Sequence, residues 1–138
     1  MGEDSTNTEN ESGEQRRDPP GWAEKFSVAG RGLFVAMSQE KSFVGHFVVT
    51  AAVLAAGLAL GISRLEWCII VLCMMAGLST ELLNTAIERL SLAVTQEFNP
   101  HIRDALDIAS GAVLIISLGA SALGALVLGD ALWRYFVI

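Results

Sequence analysis

An all-α membrane protein is the fold class this sequence predicts, and three observations predict it. The 138 residues are 52% hydrophobic and only 17% charged, too apolar for an ordinary soluble domain. Two runs, Ser42 to Ser63 and Ile108 to Gly129, contain no Asp, Glu, Lys or Arg, and each is about as long as a helix must be to cross the hydrocarbon. Between them, Trp67 to Thr80 is also uncharged and continues without proline into a polar stretch. The expectation is one membrane domain over 21–138. It holds an amphipathic surface helix at about 22–40 and three transmembrane helices at about 43–63, 66–94 and 107–129.

Residues 1–20 stand apart. They carry Glu3, Asp4, Glu9, Glu11, Glu14 and Asp18 against Arg16 and Arg17, with no large apolar residue after Met1, so they cannot bury enough surface to offset their ordering entropy. A disordered acidic tail is expected, and most of the formal charge of -6 belongs to it. It has no apolar h-region, so it does not read as a secretory signal. Gly2 with Ser5 and Thr6 fits a myristoylation-like pattern, which is too short to outweigh a solvated tail.

Pro19 and Pro20 give the first helix a start, and at about 100° per residue Trp22, Phe26, Ala29, Leu33 and Met37 form one stripe. Glu24, Arg31 and Ser38 lie opposite, the pattern of a helix in the membrane interface. "GRG" at 30–32 weakens its middle. The first and third spans are rich in Ala, Gly, Val and Leu, small and apolar residues that let helices approach closely. Cys68 and Cys73 are five apart in an apolar stretch with no CxxC spacing, which argues against zinc and against a disulfide framework and for buried thiols. With three spans the termini lie on opposite sides. Arg16, Arg17, Lys25, Arg31, Lys41, Arg89 and Arg103 fall on one side against Arg64 and Arg134 on the other, so the amino terminus and the loop of 91–106 are expected in the cytoplasm.

The middle helix carries the chemistry. In "ELLNTAIERL", residues 81–90, with Glu81 at zero, Thr85 falls near about +40°, Glu88 near about -20° and Asn84 near about -60°. Leu82, Leu83, Ala86 and Ile87 take the other side. A carboxylate costs roughly 2.5–3.5 kcal/mol at the bilayer centre and less toward the interface, so two acids on one face need partners, water or a metal. Periodicity alone leaves two readings open: a solvated helix end, or a site for a hard divalent cation that brings a polyphosphate with it. On the third span Asp107, Ser110, Gly111, Leu114 and Ser121 fall along one face that could meet Glu81 and Asn84. Asp107 reads equally as an acid near a helix N-cap. No nucleic-acid patch or Walker-type GKS/T motif is present. Acids at one end of three short spans do not make a transmembrane polar path, which argues against a transporter or channel.

These residues resemble a family. "ELLNTAIE" is similar to the signature of the small prokaryotic diacylglycerol kinases and undecaprenol kinases, E-x-hydrophobic-N-(S/T)-A-(I/V)-E. "TQEFNPHIRDALDIASGAVLI" and "GLFVAMSQEKSFVGH" resemble the stretches that flank it in that family, in the right order, over about residues 24–128. The resemblance implies a three-helix subunit with a surface helix, assembled as a homotrimer in a prokaryotic cytoplasmic membrane. It implies transfer of the γ-phosphate of ATP, with Mg2+, to the hydroxyl of a membrane lipid alcohol. Carried over residue by residue, it makes Glu81 the general base on the lipid hydroxyl and Glu40 and Glu88 the magnesium ligands. It puts Asn84, Glu88, Glu97, Phe98, Asn99 and Asp107 at the nucleotide, with Ser110 beside Glu81 near the lipid. Pro100 and His46 lean toward the undecaprenol branch.

The chain departs from the pattern at Leu92 (usually Asp), Leu106 (usually Lys), Val44 (commonly basic) and Asn99 (frequently His). Without the Lys, a positive charge is missing from a step that spreads negative charge over phosphate oxygens, and Arg103, Arg89 or Lys41 are the candidates to replace it. The departures leave a second reading open, a relative that kept the fold as a structural or partner-binding membrane protein and lost the chemistry.

Overall fold

The computed structural model describes residues 21–39 and 42–137; the acidic tail and Glu40 lie outside the described residues. Four helices follow in order: α1 (Trp22–Gln39), α2 (Ser42–Leu60), α3 (Arg64–Val94) and α4 (Pro100–Val137). The last three are each long and apolar enough to cross a membrane. At about 1.5 Å rise per residue α4 is roughly 57 Å long, well beyond the ~30 Å of hydrocarbon.

α2 stops at Leu60, three residues before the expected end, because Gly61 takes a left-handed φ of 61°. The Ile62 N–H donates to Gly57 O at 3.2 Å and the Gly61 N–H to Leu58 O at 3.4 Å, a Schellman closure. Ser63 then opens α3 with a capping box: its side chain accepts from the Glu66 N–H, and Glu66 accepts from the Ser63 N–H at 2.6 Å. At the other end of α3, Asn99 caps α4, its Oδ1 accepting from His101 N at 2.9 Å and Ile102 N at 3.4 Å, and Pro100 occupies the first helical position, where its missing N–H costs nothing. The connection expected over 91–106 therefore shrinks to residues 95–99. "GRG" does not interrupt α1; nothing lies within 4 Å of a Cβ added at Gly30 or Gly32.

α3 and α4 make the most extensive contact, α2 leans more on α4 than on α3, and α1 touches α3. The less exposed side of α4 runs through Ile102, Leu106, Ala109, Val113, Ser117, Ala120, Gly124, Val127 and Ala131, spaced by three and four with small residues where the helices approach. The apolar core lies at the turn between α2 and α3, where Ile62, Ile70, Val127 and Ala131 pack with Trp67 and Met74 around them. Cys68 points outward and Cys73 is half-buried, so the expectation of two buried thiols fails for Cys68, which sits on the face that α4 does not cover.

Candidate functional site

The opposite end of α3 is polar inside and apolar outside. Glu81 is 7% exposed and Thr85 3%, the buried polar residues among those described, while Leu83 and Ile87 are exposed. The column read from periodicity thus faces the neighbouring helices. Such a reversal suits a helix whose other side meets lipid. Asn84 Nδ2 donates to Glu88 Oε1 at 2.7 Å, one turn along the same face. Asn84 Oδ1 is buried with no hydrogen-bond partner, and leaving a buried acceptor unsatisfied costs about 1–3 kcal/mol. The pair therefore presents a carboxylate and an amide oxygen side by side, with one acceptor still to be matched.

α2 supplies the next neighbour. Its first turn returns the chain to the level of Glu81 and sets His46 Nε2 4.0 Å from Glu81 Oε2. His46 also lines a cleft of about 760 Å³ between α2, α3 and α4, bounded by Phe47, Thr50, Leu78, Ser117 and Ser121. A smaller hollow of about 390 Å³ lies under α1, where Ala29 and Leu33 face Leu82, Thr85 and Arg89. Glu81 thus lies between His46, which lines the cleft, and Thr85, which lines the hollow under α1.

The remaining sequence-derived residues are distributed differently. Glu97, Phe98 and Asn99 share the short turn between α3 and α4. There the Glu97 N–H donates to Thr95 Oγ1 at 3.0 Å, and Phe98 is exposed. Asn99 spends its carbonyl oxygen on the α4 cap, so only its amide N–H groups remain for a ligand. Asp107 is not an N-cap acid: α4 begins at Pro100, seven residues earlier, and the Asp107 carboxylate is 72% exposed with Arg103 Nε 3.8 Å away. Asp107, Ser110 and Leu114 lie on the exposed side of α4, Gly111 is half-buried and Ser121 lines the cleft, so within one protomer the strip does not turn as a whole toward Glu81 and Asn84. Leu106 falls on the buried seam instead. Among the described residues no three His, Cys, Asp or Glu side chains gather as a metal site. Periodicity places Thr85 on the polar column but gives it no role, and the closeness of His46 to Glu81 has no local signal.

The described residues are all-helical, with three helices long and apolar enough to cross a membrane and a buried carboxylate near an Asn–Glu pair, an arrangement that suits a small membrane enzyme. The profile of the family described as prokaryotic diacylglycerol kinase matches residues 27–128, and the chain belongs to that family; it is a lipid kinase. It is 33% identical over 117 residues to the undecaprenol kinase of Bacillus subtilis (strain 168), an alignment covering 85% of this chain and 95% of that protein.

Proposed function

We propose that this protein transfers the γ-phosphate of ATP to the hydroxyl of undecaprenol, in a Mg2+-dependent reaction at the cytoplasmic face of a prokaryotic inner membrane, and so returns a lipid carrier of envelope synthesis to its monophosphate. The likeness to an undecaprenol kinase supports the choice of undecaprenol over diacylglycerol. The observation that carries the reading is the inward column on α3, with Glu81 buried and 4.0 Å from His46, which lines an apolar cleft, and Glu88 held by Asn84 roughly two turns from the helix end.

Each residue has a part that its surroundings allow. Glu81 accepts the proton of the lipid hydroxyl, since a carboxylate walled off from water can meet an alcohol that never leaves the bilayer. Asn84 orients Glu88 through the 2.7 Å hydrogen bond and holds an unpartnered carbonyl oxygen beside it. Glu88, Asn84 Oδ1 and Glu40 are hard oxygen donors of the kind Mg2+ takes, and Mg2+ commonly uses only one or two protein carboxylates beside substrate phosphates. When bound, the ion neutralises charge on the transferring phosphoryl group. Glu97, Phe98 and Asn99 border the nucleotide from the α3–α4 turn. Asp107 and Ser110, on the outer face of α4, complete a site across a homotrimer interface, which would also cover part of the exposed apolar surface of each protomer.

The test is transfer of labelled phosphate from ATP to undecaprenol and to diacylglycerol by purified protein in detergent. The expected result is a preference for undecaprenol and loss of transfer with EDTA. A preference for diacylglycerol would overturn the substrate assignment, and EDTA-resistant transfer would overturn the metal.

A further inference from the structure

A base buried from water must still be emptied after each turnover. Glu81 is 7% exposed, and its partner across the helices is His46, with Nε2 4.0 Å from Oε2. His46 is the one titratable side chain of α2. Its ring is 40% exposed against 9% for the Glu81 side chain. The exposed ring therefore lies between the buried carboxylate and the cleft that α2, α3 and α4 share. The other groups facing this region are Cys73 of α3 and the hydroxyls of Thr50, Ser117 and Ser121, none of which is basic near neutral pH. Glu88 lies two turns beyond Glu81 and is occupied by Asn84.

We propose that His46 is a positioning and proton-relay residue that resets Glu81; the proposal rests on the reading of Glu81 as the base. In the chemical step the lipid O–H proton passes to the Glu81 carboxylate, the hydroxyl oxygen bonds to the γ-phosphorus, and the bond to the β–γ bridging oxygen breaks with its electron pair leaving on ADP. Glu81 is then a neutral acid. A small side-chain rotation closes the 4.0 Å gap to hydrogen-bond range, and the proton moves from Glu81 Oε2 to the lone pair on His46 Nε2. The imidazolium releases a proton to water and both groups return to their starting forms.

Rapid-mixing kinetics with ATP and undecaprenol on the full-length protein test this. His46→Gln keeps a polar group near the Nε2 position but cannot carry the proton. It is expected to give a first-turnover burst of about one product per site at near wild-type rate, then a steady phase slowed at least about tenfold, with the KM for lipid little changed. His46→Asn repeats the test with a smaller side chain, and free imidazole added to His46→Ala should speed the steady phase and not the burst. A purely structural role would slow burst and steady phase alike, and that result, or wild-type steady rates in His46→Gln and His46→Asn, overturns the proposal. Glu81→Gln separates the two readings. Loss of its burst while the His46 variants match wild type rejects the relay alone, and a full burst in Glu81→Gln rejects the base and the relay with it.

Discussion

Arg134 of α4 donates from Nη2 to Glu66 Oε1 of α3 at 2.8 Å across 68 residues of sequence, while Glu66 also closes the capping box with Ser63. One carboxylate thus serves both as the start of α3 and as its tie to the last turns of α4, where Arg134 also pairs with Asp130. Glu66→Gln and Arg134→Ala are each expected to lower the thermal unfolding midpoint in detergent while leaving phosphoryl transfer at the wild-type rate, because the pair lies at the opposite end of α3 from Glu81. A double variant no worse than the worse single one would show that the two residues act through each other.

The turn between α2 and α3 gives a second test. A Cβ on Gly57 would sit 3.0 Å from Ile62 Cδ1 and 3.0 Å from Trp67 Cη2, so Gly57→Val should cost about 1–3 kcal/mol by overpacking. Gly61→Val should cost about 1–2 kcal/mol for its left-handed backbone, whereas Gly61→Asn, a residue that tolerates that region, should lose much less. Denaturant unfolding of the three variants checks the order.

At the site, Asn84→Ala removes the donor to Glu88 and the open carbonyl oxygen together. We expect turnover to fall at least about tenfold, or roughly 1.4 kcal/mol of barrier. Glu88→Gln is expected to raise the Mg2+ concentration needed for half-maximal rate. Initial rates over a magnesium titration measure both, and an unchanged titration in Glu88→Gln would remove Glu88 from the metal.

Arg103 stands one turn before Asp107 with its guanidinium 3.8 Å from that carboxylate; on the proposed placement of Asp107 at the nucleotide, it is a candidate substitute for the Lys that the family resemblance expects at Leu106. Arg103→Ala should raise the KM for ATP about tenfold or more, and Arg103→Lys should recover most of it, since a point charge can still meet a phosphate oxygen. Equal KM values for Arg103→Ala and wild type would reject this assignment.

What was legible in the sequence was whatever periodicity or punctuation marks. Glu81, Asn84, Thr85 and Glu88 differ from Leu83 and Ile87 in polarity, so a 3.6-residue period exposes the face, and the structure turns that face inward. The expected first span runs on through Gly61 and Ser63, although a glycine before a serine marks the turn the structure makes there, and "NP" at 99–100 carries a helix start where the resemblance implies a nucleotide loop. The facing of α4 was not legible. Its lipid and protein sides are both apolar, so no contrast in hydrophobicity says which side meets α3, and Asp107 and Ser110 were aligned toward Glu81 when the seam runs through Leu106 and Ala109. The contact between His46 and Glu81 joins residues 35 apart on different helices, which no local pattern records.

The three residues between α2 and α3 bear on how the chain enters its membrane. Gly61, Ile62 and Ser63 are locked between a helix end and a helix start, too few to let one helix cross while the other waits. α2 and α3 are therefore expected to insert as a single hairpin, with Ser63, Arg64 and Glu66 as the polar load at its tip. Lengthening this link with a flexible, charged segment would uncouple the two insertions and raise the cost of the crossing, even in a protein whose finished catalytic site was untouched.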